Sequence, residues 1–133
     1  MKRIAIVSTG GGMLCSFGAG CFAALAKEHK YLNPEFIIAA SGSAGGAFYY
    51  LAGQADRLEA IWTKHLASTK FISWTRWRKI MDIDYLVDVV LTKLEPFNHQ
   101  AFAKSQTEVQ VPLIIQTSKK ALYISIINLV YHP

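Results

Sequence analysis

The sequence predicts an α/β fold in three layers, with helices on both faces of a mainly parallel sheet. Short apolar runs that end in glycine or serine alternate with stretches of helical periodicity, which is typical of repeated strand, turn and helix units. In addition, 52% of the 133 residues are hydrophobic and 17% are charged. This composition suits one domain over residues 1–133 with a substantial core.

The first strand and helix occupy the first thirty residues. Residues 2–8 contain the uncharged run Ile-Ala-Ile-Val, which predicts a short buried strand ending at a glycine cluster. Over residues 17–30 the apolar side chains recur at helical spacing until charged residues close the helix. Asn33 and Pro34 then predict a turn.

A second strand and helix follow at once. Residues 36–40 predict a buried strand, and residues 47–52 predict a helix that ends at Gly53. The whole stretch 36–53 lacks charge and is long enough for a transmembrane helix. The serine and glycine cluster at its centre favours a turn between a strand and a helix instead.

The remaining chain predicts two more helices and up to two more strands. Helical periodicity covers residues 55–69 and 84–94. Residues 109–116 predict a strand in which Pro112 requires an edge or irregular position. Residues 121–131 are apolar and read either as a strand or as a tail, which leaves self-association through this segment open.

The chain is basic, with 14 Lys and Arg against 9 Asp and Glu and a net charge of +5. An ordinary solvated surface explains this excess, and attraction to an anionic surface is the alternative. One basic cluster, at residues 76–79, is interleaved with Trp74 and Trp77 and predicts peripheral contact with a membrane rather than with nucleic acid. Two cysteines, Cys15 and Cys21, fit neither a disulfide framework nor a zinc site, which favours a reducing, cytoplasmic location.

Ser43 is the candidate nucleophile. It lies in a Ser-Gly-Ser-Ala-Gly segment between the second predicted strand and a helix, where a strained turn exposes a hydroxyl and requires small neighbours. The predicted elbow comprises Ser41, Gly42, Ala44 and Gly45 around Ser43. An ordinary turn, or an anion site at a helix N-terminus, is the alternative interpretation of this segment.

Gly10, Gly11 and Gly12 follow the first predicted strand. Three consecutive glycines allow backbone N–H groups to turn toward a substrate oxygen, as an oxyanion hole requires. A dinucleotide-binding loop is disfavoured because Cys15 stands where the last glycine of that pattern belongs. A P-loop is disfavoured because the Gly-Lys-Ser/Thr segment is missing.

Together these segments resemble the patatin-like phospholipase family in order and spacing. The glycines, the small residues 16–20, a strand and the serine elbow follow one another, and segments 82–86, 96–97 and 111–115 with Thr117 are also similar to bacterial members. The resemblance covers residues 2 to about 118. It implies an incomplete α/β/α fold, hydrolysis of acyl esters in lipids by Ser43, Gly10 to Gly12 as the oxyanion loop, and no metal or organic cofactor.

Two features depart from the family pattern. Met13, Leu14 and Cys15 replace the small, basic and glycine residues that usually follow the glycine loop, so one cation is missing. The family's aspartate lies in a downstream Asp-Gly turn, and this chain contains no Asp-Gly pair. Asp56, Asp82, Asp84 and Asp88 lie on or beside predicted helices and read as solvated or capping carboxylates, so no catalytic base is assigned.

The resemblance ends abruptly at the divergent residues 119–133. We expect from this change a truncated or frame-altered product with weak hydrolytic activity, whose substrates are lipid or acyl esters. A lipid-binding or interaction module that keeps the fold without the chemistry is the alternative function. A nucleotide-binding protein lacks the acidic or lysine partner that such sites use.

Overall fold

The computed structural model describes residues 4–29, 32–115 and 120–125. In chain order, the strands are β1 (Ala5–Ser8), β2 (Phe36–Ala39), β3 (Glu108–Ile115) and β4 (Lys120–Ser125). The α-helices are α1 (Cys15–His29), α2 (Gly42–Leu51), α3 (Arg57–Ala60) and α4 (His99–Ala103). A 3-10 turn (Gly12–Leu14) precedes α1, and π-helical turns occupy Ile61–His65 and Tyr85–Leu94. The predicted α/β class is confirmed.

Four predicted elements differ from the observed ones, and one of them is the helix predicted over residues 84–94, which is π-helical from Tyr85 to Leu94. The helix predicted over residues 47–52 begins earlier, at Gly42, because the chain turns into α2 directly after Ser41. The helix predicted over residues 55–69 is α3 followed by a π-helical turn, and residues 66–70 form turns. The predicted strand or tail at residues 121–131 is in part β4, and residues 126–131 lie outside the described residues.

The four strands form one open sheet in the order β1-β2-β3-β4. The first three strands are parallel, and β4 is antiparallel to β3. Strand β2 pairs with β3 only from Glu108 to Gln110, so Pro112 lies beyond this pairing, opposite Tyr123 of β4. A proline lacks the N–H group that a second neighbouring strand would need, and the predicted edge-like position of Pro112 is confirmed.

The hydrophobic core lies on one face of the sheet. Ile6, Ile37 and Ala39 point into it, whereas Val7, on the opposite face, is 67% exposed. Because strands β1 to β3 follow one another in sequence order, right-handed crossovers carry their connecting helices to the same side. The three-layer arrangement, with helices on both faces of the sheet, stays a prediction.

Helices α1 and α2 pack closely because small side chains line their contact. A Cβ atom placed on Gly46 would lie 3.2 Å from the Phe22 ring and 3.7 Å from the Ala19 Cα atom. The Phe22 and Tyr50 rings pack at a tilt of 42° with their centroids 5.4 Å apart, and the Tyr50 hydroxyl donates to the Leu32 carbonyl at 2.8 Å. This contact fixes α2, and therefore the residues at its start, against the sheet.

No helix among the residues with described structure combines the length and the apolarity that crossing a bilayer requires. The uncharged stretch 36–53, which by length qualified as a spanning segment, is divided into β2, a bend and the ten-residue helix α2.

A valine at position 46 tests the tightness of the helix contact. We expect Gly46→Val to lower the free energy of unfolding by about 1–3 kcal/mol, because the added carbons overlap the buried Phe22 ring. The control is Gly20→Val on α1, where an added Cβ meets nothing within 4 Å and the change should stay within about 0.5 kcal/mol. Urea unfolding measures both, and equal stabilities would contradict the close packing.

Candidate active site at the serine bend

The glycine loop, residues 10–12, and the serine bend, residues 40–42, lie side by side at the carboxyl ends of the parallel strands. They follow the parallel neighbours β1 and β2, whose carboxyl ends meet there. The Ala40 N–H group donates to the Ser8 carbonyl at 3.1 Å, which extends the pairing past the last strand residues. A Cβ atom on Gly10 would lie 3.1 Å from the Ser41 Cβ atom, so the two segments are in contact.

Ser41 has the backbone conformation that a strained strand-to-helix turn requires. Its φ and ψ angles are 56° and −134°, and within the described residues it is the only non-glycine residue with positive φ. The bend is closed by the Ala44 N–H group, which donates to the Ser41 carbonyl at 3.0 Å. Such a conformation costs on the order of 1–3 kcal/mol and is found mainly at functional sites. Ser41 is also exposed.

Ser43 lies in a different environment from the one its sequence position predicts. Its side chain is only 1% exposed, and its Oγ atom donates a hydrogen bond to the Thr9 carbonyl at 2.7 Å. Since α2 starts at Gly42, Ser43 is the second residue of the helix and turns inward toward β1 and α1. The hydroxyl of Ser43 therefore ties α2 to the end of β1, and the exposed serine of the bend is Ser41.

The glycine loop uses conformations that side chains rarely adopt. Gly11 has a φ angle of 149° and Gly12 a φ angle of 59°, both in the region that favours glycine. Gly12 is exposed and lines the same pocket as Ser41 and Gly42. As the first residue of α2, Gly42 has an N–H group without an acceptor in its own helix, at the positive end of the helix dipole.

An apolar pocket of about 120 Å³ opens beside Ser41. Its lining contains no charged side chain and includes Gly45 of the predicted elbow, whereas Ala44 is buried in the core. Tyr49 also lines the pocket, and its hydroxyl donates to the Glu95 carbonyl. Burial raises the pKa of Tyr49 to about 12, so this phenol stays protonated at neutral pH and supplies no phenolate base.

A second, larger groove of about 640 Å³ lies at the opposite ends of the strands, where β2 and β3 begin. It is lined by residues that precede β2 and β3, among them Pro34, Glu35 and Thr107. Neither the glycine loop nor the serine bend borders it. In parallel sheets, reactive groups collect at the carboxyl ends of the strands, so the smaller apolar pocket is the better candidate for a substrate site.

Among the described residues, no carboxylate or imidazole hydrogen-bonds to Ser41 or Ser43. Asp82 accepts from the Tyr85 N–H group at 3.1 Å, and of the two roles expected of this aspartate, solvated or capping, this is the capping one. The His65 ring lies beside Glu95 and not beside either serine, with 3.4 Å between His65 Nε2 and Glu95 Oε1. The same residues contain no cluster of three or more His, Cys, Asp or Glu side chains with the arrangement of a metal site.

Comparisons with family models, with curated proteins and with solved structures gave no match to this chain. The resemblance to patatin-like phospholipases therefore depends on the motifs in the sequence.

Replacing Ser41 by glycine tests the strain at the bend. We expect Ser41→Gly to raise the free energy of unfolding by about 1 kcal/mol, because glycine adopts positive φ without a steric penalty. Ser41→Ala keeps the Cβ atom, and with it the strain, so its stability should stay near that of the parent chain. Urea unfolding of the two variants measures the difference, and a destabilised Ser41→Gly variant would contradict the assigned conformation.

Proposed function

We propose that this chain is a patatin-like serine acyl hydrolase that acts on esters with an apolar acyl group, as in lipids. One observation carries the proposal: an exposed serine in a strained strand-to-helix bend lines an uncharged pocket together with a glycine loop. This combination joins a nucleophile, backbone donors and an apolar acyl site within one small region.

The sequence pattern selects Ser43 as the nucleophile, and the geometry favours Ser41. The Ser43 hydroxyl is buried and its proton is donated to the Thr9 carbonyl, so an ester cannot reach it without rearrangement of α2. Ser41 is exposed and lines the pocket. Ala39 and Ser43, two residues before and after Ser41, are small, as an elbow around Ser41 requires.

In the proposed reaction, the Ser41 oxygen attacks the ester carbonyl carbon and the carbonyl oxygen becomes an oxyanion. The N–H groups of Gly42 and of the glycine loop stabilise this charge, each donor contributing about 3 kcal/mol to the transition state. A general base, for which the family resemblance implies an aspartate, takes the serine proton during the attack and gives it to the departing alkoxide, which leaves as the alcohol. Water then adds to the carbonyl of the acyl-serine, and collapse of that intermediate releases the carboxylic acid and restores the Ser41 hydroxyl.

The described residues supply no such base beside the bend, so solvent is the proton acceptor for this part of the chain. A serine hydroxyl without an adjacent base is a weak nucleophile at neutral pH. We therefore expect slow hydrolysis, together with measurable reaction toward strongly electrophilic serine probes.

The volume of the pocket also limits the size of the acyl group that can bind. A dry protein cavity of about 150 Å³ accommodates a benzene-sized molecule. A pocket of about 120 Å³ therefore encloses a short acyl chain or the first carbons of a longer one. The apolar lining favours an uncharged chain over a sugar or a peptide, because polar groups buried there would have few hydrogen-bond partners.

A lipid-binding module without catalytic activity is the second candidate function. The observation that favours it is the lack of a carboxylate or imidazole at either serine within the described residues. In that case the pocket would bind acyl chains, and the bend would have no covalent role.

Labelling with a fluorophosphonate that carries a short alkyl group separates these functions. The serine oxygen forms a bond to phosphorus, fluoride leaves, and the proton passes to solvent. We expect slow labelling of the parent chain at Ser41 and at least tenfold slower labelling of Ser41→Ala. In Ser43→Ala labelling should persist at Ser41, and the loss of the hydrogen bond to Thr9 should lower its rate less than Ser41→Ala does. Mass spectrometry of the peptide that contains both serines identifies the modified residue, and circular dichroism checks that the variants are folded.

Labelling at Ser43 would keep the hydrolase proposal and reject Ser41 as its nucleophile. No labelling of a folded chain that binds alkyl ligands would reject the hydrolase and favour the lipid-binding module.

A further inference from the structure

The segment 73–80, here called the tryptophan loop, exposes two large aromatic side chains. Trp74 is 83% exposed and Trp77 is 93% exposed, and Ile80 at the end of the loop is also exposed. Indole rings are apolar with one polar N–H group, and they concentrate at boundaries between water and lipid or at interfaces with partners. Two such rings on one short loop therefore form a candidate contact surface.

The loop is held in shape at its base. Ile72 and Met81 form an antiparallel bridge, and the Ser73 N–H group donates to the Ile80 carbonyl at 2.9 Å. The Asp82 N–H group donates to the Phe71 carbonyl at 2.8 Å. The exposure of the indoles therefore belongs to an ordered backbone, and a partner would not have to order the loop on binding.

Arg76 secures the loop from within. Its guanidinium donates to the Phe71 and Lys70 carbonyls at 2.9 and 3.1 Å and to an Asp82 carboxylate oxygen at 3.0 Å. These hydrogen bonds of Arg76 are all made to residues at the base of the loop. The charges that face outward are those of Arg78 and Lys79, both exposed, and Lys79 also contacts Asp82 and Asp84.

The loop and its acidic neighbours carry a small net positive charge. Arg76, Arg78 and Lys79 lie in the loop, and Asp82 and Asp84 contact Arg76 and Lys79, so three cations face two carboxylates and the exposed Arg78 supplies the excess. Cations beside interfacial aromatic residues match the anionic headgroups of a lipid surface. A single-stranded nucleic acid needs a basic groove along which its backbone runs, whereas these indoles project from the tip of a loop. A flat anionic surface is the better match.

The position of the loop relative to the pocket is the last observation. Phe71 and Met81, at the base of the loop, line the pocket that Ser41 borders, and so does the exposed Ile83. A surface that receives the indoles would therefore lie close to the pocket wall.

From the indoles, the cations and the rigid base we infer that the tryptophan loop docks this chain onto an anionic lipid bilayer, with Trp74 and Trp77 inserted among the headgroups. The docking does not require a reactive serine, so it holds for the hydrolase and for the lipid-binding module alike. If the hydrolase proposal is correct, docking also brings the pocket to its substrate.

Co-sedimentation with vesicles tests the inference on the full chain. We expect binding to phosphatidylcholine vesicles that contain phosphatidylglycerol, weaker binding to pure phosphatidylcholine, and a blue shift of the tryptophan emission. The double variant Trp74→Ala/Trp77→Ala should bind the anionic vesicles at least tenfold more weakly, and its remaining Trp62 should show no shift. Arg78→Gln should weaken binding to anionic vesicles and leave binding to neutral ones unchanged.

Phe17→Ala is the matched control, because Phe17 is 80% exposed on α1, outside the tryptophan loop. It should bind vesicles as the parent chain does. The inference is overturned if the parent chain does not sediment with anionic vesicles, if the double variant binds as tightly as the parent, or if Phe17→Ala loses as much affinity. Preferential binding of single-stranded RNA through the same two indoles would also overturn it. Unchanged circular dichroism establishes that each variant is folded.

Discussion

The parallel pairing of β1 with β2 is the constraint on which the candidate site depends. The pairing aligns Ser8 with Ala39, and the hydrogen bond from Ala40 to the Ser8 carbonyl continues it by one residue. Strands β1 and β2 must therefore end at the same level of the sheet, where β1 continues into the glycine loop and β2 continues into the serine bend. A shift of one residue in this register would move Gly10 away from Ser41 and turn the side chains of β2 to the other face.

The same constraint explains how a strained serine is tolerated. The Ser43 hydroxyl holds the start of α2 to the Thr9 carbonyl, and Gly46 lets α2 approach Phe22 of α1. Ser41 is the residue between two fixed segments, the end of β2 and the start of α2, and its backbone has to absorb the change of direction. The strain is therefore maintained by packing on both sides, as is usual for strained functional residues.

The sequence predicts the α/β class and the order of the main strands and helices, because these depend on apolar periodicity and on the positions of glycines. It does not predict which serine is exposed. Ser41 and Ser43 are both flanked by small residues, and the choice depends on the residue at which α2 begins. That position follows from tertiary packing of Ala44 and Ala47 in the core, which local patterns do not reveal.

Helix interruptions were equally hidden from the sequence. The apolar stripe of residues 55–69 and 84–94 has helical spacing, yet much of both segments is π-helical, where an extra residue per turn shifts the side chains. Ile61, Leu86 and Leu91 of these segments line the pocket beside Ser41. Part of the pocket wall thus comes from segments whose periodicity is irregular, which is one reason why the sequence does not indicate an acyl site.

The base of the tryptophan loop and the wall of the pocket have residues in common, and this has an energetic consequence. Arg76 makes its hydrogen bonds to the loop base, while its Nε atom is buried without a partner in the described structure, which costs about 1–3 kcal/mol. An apolar side chain would fill the same interior without this cost, but it could not bind the Phe71 and Lys70 carbonyls and Asp82 together. Because Phe71 also forms part of the pocket wall, the interaction that presents the indoles to the outside also holds the wall in position beside Ser41.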